Sequence, residues 1–419
     1  MSLSRMRVVT GCVVALVAGG AAALPAAAAG GSLDPSWNGS GFTTTSFGGA
    51  YAFADGIVVQ GGRNVTVVGG SSGVTNVFAV ARYEPNGVLD PSFGVGGLVT
   101  TSFNGDDLAD AVTYQGDKTV VVGYTSPDGG TTFNFALARY LANGALDPTF
   151  GSGGKVVTSF GGGYDFADAV LVHGDKIVVA GESRTGAGYN QFIVARYNTD
   201  GSLDTSFGTG GFTTTDFGFH YNAANGVTMM GDRIVAAGYA QGPTHLDFAV
   251  ARYTSSGALD TSFGSGGKVL TDFGNDAAGH AVDVRGYSIV VVGAASNGTD
   301  NDFAAAEYNA NGSPLTGFGS GGKTTLNIGA DDHAYGGGFT PDGSVYAAGD
   351  TGSAVTDSFA VARWTTTGAP DPLFGTGGFT VTSIGVMSGA FAAGIGPDGK
   401  VVAAGFSDND FAVARYLGH

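Results

Sequence analysis

The chain has 419 residues, 76 of them glycine, with 13% charged residues, a formal net charge of −17 and a single cysteine, Cys12. An acidic balance of this size lacks the basic surface that phosphate backbones need, which excludes a nucleic-acid partner. Cys12 falls in the leader described next, so disulfides and cysteine-held zinc are excluded for the remaining chain.

Met1 to Ala29 reads as a signal peptide. Arg5 and Arg7 form a basic start, Val8 to Leu24 is a run of mostly small apolar residues, and LPAAAAGG from Leu24 offers a small-residue cleavage site near Ala29. An uncleaved membrane anchor is the alternative. VTGC at Val9 matches a lipoprotein box, but Cys12 comes before most of the apolar run. The expected mature protein is therefore residues 30–419, secreted or associated with the cell surface, monomeric and outside the membrane.

From Gly31 onward the chain repeats itself. FAVARY and its variants occur at Phe78, Phe135, Phe192, Phe248, Phe303, Phe359 and Phe411. A companion motif, LDxSFGxGG with Thr sometimes replacing Ser, starts at Leu33, Leu89, Leu146, Leu203 and Leu259, and is degraded at Pro314 and Pro370. The spacings of 57, 57, 56, 55, 56 and 52 residues signal a repeat architecture in which one unit cannot bury its own apolar surface.

In chain order each unit predicts four strands: a (Gly41 to Phe47), b (Ala109 to Tyr114), c (Lys118 to Gly123) and d (Phe135 to Tyr140). They are short, rich in Val, Ile, Thr and aromatics, and separated by Gly, Asp, Asn and Pro turns. Between b and c lie tight hairpins, QGDK at Gln115 and HGDK at His173, whose Gly and Asp accept positive φ. Four strands taken seven times predict an all-β fold, a seven-bladed β-propeller of four-stranded antiparallel blades. A right-handed β-solenoid is the runner-up, but its rungs are usually shorter.

With these motifs the sequence resembles the delta-60 repeat family of bacterial secreted or surface proteins, over nearly all of the chain after Gly31. The resemblance implies a propeller fold and carries no activity or catalytic residues. The unit around Phe303 departs from the pattern, with Glu307 in place of Arg and Leu315 in place of Asp.

The two ends complete one another. The mature chain opens GSLDPSWNGSGF without the preceding FAVARY, and it closes on FAVARYLGH, in register to continue into Gly31. Strand a at Gly41 to Phe47 is thus expected to pair with the last strands and remove an open edge. Strand a is polar and suits the rim, whereas strand b is rich in Ala, Gly and Val and suits the crowded axis. The expected order from inside outwards is b, c, d, a, with a, b, c, d as the alternative.

Residues present in every unit are most simply explained by the fold. Arg82 precedes Asp90 by eight residues, and Arg139 and Asp147, Arg196 and Asp204, Arg252 and Asp260, and Arg363 and Asp371 repeat the spacing. Arg415 and Asp34 restore it across the chain ends. The joint loss at Glu307 and Leu315 is what a structural ion pair requires, because an orphaned buried charge is costly. The Asp before strand d, such as Asp247 or Asp302, reads as a turn residue.

Sorted by nearest connection, 20 of the 35 acids fall on the face holding the a–b and c–d connections, and Arg184 is the one Lys or Arg of the mature chain assigned there. Such a face concentrates cations or a basic partner. One position opening strand b reads Asp55, Asp110, Asp168, Asn225 and His280, then Gly336 and Ala392. With b innermost these side chains ring the mouth of the central channel. Asp55, Asp110 and Asp168 offer oxygen ligands suited to Ca²⁺ or another hard cation; a turn-forming Asx is the bland explanation. His220 and His333, in a–b loops, make zinc conceivable, without an HxH or HExxH spacing to support it.

Two functions follow. One is a secreted binding or scaffold propeller that uses its acidic face for a cation, a basic protein or a glycan. The other is a secreted hydrolase or lyase at the channel mouth using Asp110, Asp168 and His280. No GxSxG or similar nucleophile motif supports catalysis, which favours binding.

Overall fold

The computed structural model describes residues 30–60, 64–73, 75–184, 188–218, 220–353 and 356–418. The expected signal peptide, 1–29, lies outside the described residues. Among the described residues no helix is long and apolar enough to cross a membrane. Among the described residues, small and β-branched side chains between glycine-rich turns build 28 strands in seven four-stranded antiparallel sheets. In the second blade strand b is Asp106–Gln115, c is Lys118–Ser126, d is Asn134–Tyr140 and a is Lys155–Thr158. The order in every sheet is b-c-d-a, and the seven b strands pack on one another around the axis. The protein is a seven-bladed β-propeller. We number the blades by their b strands in chain order, Ala52–Val59 being the first and Ser388–Ile395 the seventh.

Strands b and c are longer than their apolar runs. Asp106 and Asp107 pair with Ser126 and Thr125, so polar residues extend the ladder where the apolar signal has ended. Strand b also slips register once in every blade. Ala109 pairs with Gly123 and Ala111 with Val122, leaving Asp110 as the extra residue of a β-bulge. The same bulge recurs at Asp55, Asp168, Asn225, His280, Tyr335 and Phe391. The glycine ending each apolar run in strand c makes room for it: a Cβ on Gly123 would lie 2.0 Å from the Leu108 carbonyl oxygen.

The ring closes through the chain ends. Phe42–Thr45 pairs with Asp410–Tyr416, from Phe42 opposite Ala414 to Thr45 opposite Phe411. The Asp34 amide donates to the Arg415 carbonyl at 2.8 Å, and the Leu417 amide to that of Ser32 at 2.8 Å. Fully buried Trp37 sits 6.1 Å from the Tyr83 ring, centroid to centroid. Gly87, at φ 84°, lets it fit, since a Cβ there would lie 2.6 Å from the indole.

The repeated Arg and Asp are paired. Arg Nε to Asp Oδ2 is 2.8 Å for Arg82–Asp90, Arg139–Asp147, Arg196–Asp204 and Arg415–Asp34, 3.0 Å for Arg252–Asp260 and 3.2 Å for Arg363–Asp371. The same guanidinium also reaches the next blade. Arg82 donates to the Ala142 carbonyl at 2.7 Å, Arg139 to Thr199 at 2.5 Å, Arg196 to Ser255 at 2.5 Å, Arg415 to Pro85 at 2.6 Å, and Arg252 to Ala310. The motif therefore clamps blades together as well as bracing its own loop.

Candidate functional site at the channel mouth

Because the bulge residue has no ladder partner of its own, its side chain turns towards the axis. Asp55, Asp110, Asp168, Asn225, His280, Tyr335 and Phe391, one from each blade, line a cavity of about 510 Å³. The five polar residues singled out in the sequence are thus brought together. The last two positions are not Gly336 and Ala392 but Tyr335 and Phe391, one residue earlier. Aligning on the small residues of strand b skips the bulge in HAYGGGF and GAFAAG, where the extra residue is aromatic.

The cavity has two unlike arcs. Blades one to three supply three carboxylates. Blades five to seven supply rings: His280 and Tyr335 centroids are 5.1 Å apart, Tyr335 and Phe391 meet edge-on at 5.5 Å, and Phe391 lies 5.3 Å from Phe406 of the adjoining strand c. Between the arcs Asn225 is held by a hydrogen bond from its Nδ2 to the Gly279 carbonyl at 2.8 Å, which brings that nitrogen 3.4 Å from His280 Nδ1. Tyr51, Tyr124 and Asp408 line the opening, on the side of the a–b and c–d connections. Among the described residues the lining includes no Lys or Arg and no Ser, Thr or Cys. This arrangement can gather positive charge and cover an apolar body. Its hydroxyls are the phenols of Tyr51, Tyr124 and Tyr335.

The acidic face is smaller than chain position implies. Asp107, Asp165 and Asp332 are fully buried braces of the a–b loops. Asp165, for example, accepts from the Phe160 amide at 2.8 Å and the Ser183 hydroxyl at 2.6 Å, and burial raises its pKa. The face also receives cations. Lys155 and Lys268 reach back along four-residue a strands to donate to the carbonyls of Ser102 at 3.0 Å and Asp216 at 2.8 Å in the preceding blade, and Lys323 does the same to Asp272. Sorting by nearest connection assigned all three to the opposite face.

Two other expectations resolve into separate places. His220 lies in the a–b loop before strand b of blade four, whereas His333 is within strand b of blade six, and the two do not share a cluster: the His220 ring lies 3.8 Å from that of Tyr189, and His333 lies 3.7 Å from Asp350. Asp247 does more than turn the chain. His245 Nδ1 lies 3.2 Å from Asp247 and its Nε2 3.5 Å from Asp272, so the imidazole sits between two carboxylates. In blade five the matching Asp302 accepts amide hydrogens from Asn297 at 3.1 Å and Asn327 at 3.0 Å. Burial, with the Asp272 charge adding to it and His245 opposing, raises the Asp247 pKa. The His-x-Asp spacing in blade four was the available signal.

Fold and cavity together define a β-propeller repeat protein with a ligand-sized recess on its axis. Within that class the chain belongs to the family described as "Domain of unknown function (DUF5122) beta-propeller", whose model matches residues 64–93, 115–150, 175–207, 232–263, 288–318, 340–374 and 396–418. The seven bulge residues fall outside the matched segments, which follow strands c and d and the loop after them; Tyr124, Phe406 and Asp408 of the lining fall inside. No curated protein matches the chain. Similar solved structures include the WD40 β-propeller domain of Doa1, at 10% identity over 90% of this chain and 98% of that one with a TM-score of 0.51. Sqt1 of Chaetomium thermophilum follows at 12% identity, 88% and 96% coverage and a TM-score of 0.47. The β-propeller domain of the Trilobed protease from Pyrococcus furiosus stands at 10%, 88% and 95%, and 0.44. At such identities the likeness is one of fold alone.

Proposed function

We propose that this is a secreted binding propeller, without catalytic activity of its own, that takes its ligand at the channel mouth. The observation carrying the reading is the convergence of seven bulge residues on one recess of about 510 Å³, a size that suits a small molecule or the tip of a larger partner. A basic protein or a glycan on the surrounding acidic face are the partners compatible with the rim. Asp55, Asp110 and Asp168 also form a donor set for a hard cation such as Ca²⁺ on one arc; the aromatic arc offers such an ion nothing. A hydrolase or lyase at the same place would use Asp110, Asp168 and His280, and the lining supplies no Ser, Thr, Cys or Lys beside them; the absence of a nucleophile motif such as GxSxG is why binding is preferred.

The test is a ligand screen by calorimetry, covering amines, short basic peptides, neutral and acidic sugars and divalent ions. It compares the wild type with Asp110→Asn/Asp168→Asn and with Phe391→Ala. A ligand that loses at least tenfold in affinity in the Asp variant and about fivefold in Phe391→Ala supports the reading. Ligands bound equally by all three proteins overturn it. Turnover of a chromogenic glycoside or ester that disappears in the Asp variant would replace it with the hydrolase.

A further inference from the structure

Resting on the channel-mouth reading, we infer that the group recognised there is an organic ammonium: a primary amine carried on a slim apolar body. The lining contains the carboxylates of Asp55, Asp110, Asp168 and Asp408 and no Lys or Arg. Its formal charge is therefore negative on one arc, where three successive blades bring like charges to one recess. The clamp arginines lie near the far end of strand d, paired with aspartates of the loops that join d to a, and Lys155 and Lys268 are engaged with carbonyls at the outer strands. A neutral sugar would donate hydroxyl hydrogens to the carboxylates but brings no charge opposite to theirs, whereas a cation does.

The opposite arc discriminates among cations. A metal ion occupies roughly the volume of one water, about 30 Å³, and makes no use of rings. The recess is far larger, and Tyr335, Phe391 and Phe406 form a continuous aromatic wall across from the carboxylates. An alkylammonium uses both halves. Its charge is attracted by carboxylates and by ring quadrupoles alike, and its methylenes lie against the aromatic wall. Asn225, fixed between the arcs, adds a side-chain carbonyl that can accept from the ammonium. The amine has two possible sources, a free diamine or the lysine tip of a polypeptide reaching in from the acidic face.

The experiment uses residues 30–419 at constant ionic strength with five probes: 1,5-diaminopentane, a Gly-Lys-Gly peptide, 1,5-pentanediol, glucose and CaCl₂. Affinities are measured by calorimetry or ligand-observed NMR, and circular dichroism checks that each variant is folded. The diamine or the peptide should bind at least tenfold tighter than the diol, with Asp110→Asn/Asp168→Asn removing at least tenfold of that affinity and Phe391→Ala about fivefold. A preference for the diamine assigns a free amine, and a preference for the peptide assigns a lysine tip. If the diol or glucose binds as well as the amines and responds to the same substitutions, the ammonium assignment fails while the channel-mouth site stands. If CaCl₂ alone responds to the Asp substitutions, the ligand is a metal ion and the assignment again fails. If no probe responds to either substitution, the channel-mouth reading itself falls.

Discussion

Arg82 and Arg139 hold the same position in neighbouring blades, yet their removal strands different carboxylates. Arg82 donates to Asp90 at 2.8 Å, to the Ala142 carbonyl at 2.7 Å and to Ser92 at 3.1 Å. Among the described residues leading into strand c, Asp90 receives the neutral amide of Asn64, at 2.5 Å. Arg139 makes the matching contacts, but Asp147 also takes the Lys118 ammonium at 2.8 Å. Substitution by Met keeps an apolar stem over Phe93 or Phe150 and deletes the guanidinium. Orphaning one charge of a buried pair costs about 3–5 kcal/mol. Losing a hydrogen bond to a charged group, with a second cation still in place, costs about 1.5–3 kcal/mol. Arg82→Met should therefore lower the urea midpoint more than Arg139→Met, by roughly 1–2 kcal/mol at equal m-value.

Blade five supplies the natural control, since Glu307 and Leu315 stand where the pair would be. Adding Asp90→Leu to Arg82→Met removes the orphaned charge and should recover part of the loss, with a coupling energy of about 2 kcal/mol in a double-mutant cycle. Equal costs for the two single variants, or a double variant whose cost equals the sum of its singles, would refute the account of the clamp as a buried charge pair.

Truncation before Phe411 removes strand d of the seventh blade and the partner of Phe42–Thr45, exposing two edges; the shortened protein should melt earlier and aggregate, and an unchanged melting curve would show that closure is not stabilising. Burial opposes ionisation of Asp34, but hydrogen bonds from Ser36 and Lys400 and the Arg415 charge outweigh it and hold the pKa at about 2, while the Ser206 hydroxyl leads in holding Asp204 at about 2. A folded pKa below the ordinary value of 3.8 stabilises above that value and is lost as pH falls, so the urea midpoint should drop between about pH 4 and pH 2 and drop less in Asp34→Asn/Asp204→Asn. Gly123→Ala places a Cβ 2.0 Å from the Leu108 carbonyl; it should cost at least 1–3 kcal/mol by forcing the bulge to shift and should weaken any ligand that depends on Asp110, whereas wild-type stability in that variant would mean the bulge is adaptable. Millimolar Ca²⁺ should raise the melting temperature above the shift given by sodium at matched ionic strength, through binding rather than screening; equal shifts, or a Ca²⁺ effect that persists in Asp110→Asn/Asp168→Asn, would remove Ca²⁺ from the carboxylate arc.

The frame was legible because its signals are local. The FAVARY and LDxSFG motifs lie a few residues apart, and the eight-residue spacing of Arg82 and Asp90 named a pair that the loop brings within 2.8 Å. Contacts that span whole repeats left no such trace. Nothing near Arg82 in the chain points to the Ala142 carbonyl, because that contact depends on how one blade docks on the next. The bulge was hidden for a different reason. An alternating pattern cannot register one extra residue, and reading strand b by its small side chains selected Gly336 and Ala392 where Tyr335 and Phe391 project. Two of the three bulge rings on the aromatic arc, Tyr335 and Phe391, were missed by that single-residue slip. Burial of Asp107 and Asp332 was equally invisible, since their partners are amides and hydroxyls of the folded loops.

The same bulge explains how a strongly repeated chain can carry an unrepeated site. In each blade Gly of strand c, the Arg–Asp clamp of most blades and the inter-blade Tyr–Thr hydrogen bonds, such as Tyr140 to Thr101 at 2.8 Å, are satisfied without help from the bulged residue. That residue stands outside the ladder register, so its side chain can change with little effect on strand pairing. Over seven blades it reads Asp, Asp, Asp, Asn, His, Tyr and Phe, a sequence that follows neither the strand pattern nor the core volume. Consecutive blades are neighbours in space, so the order of these residues along the chain becomes their order around the channel. Three acids in a row make one acidic arc, and the rings that follow make one aromatic arc. The division of the recess into two chemically distinct halves, on which the proposed recognition of an organic ammonium rests, is thus written in the order of the repeats, at the one position where the fold asks least of the side chain.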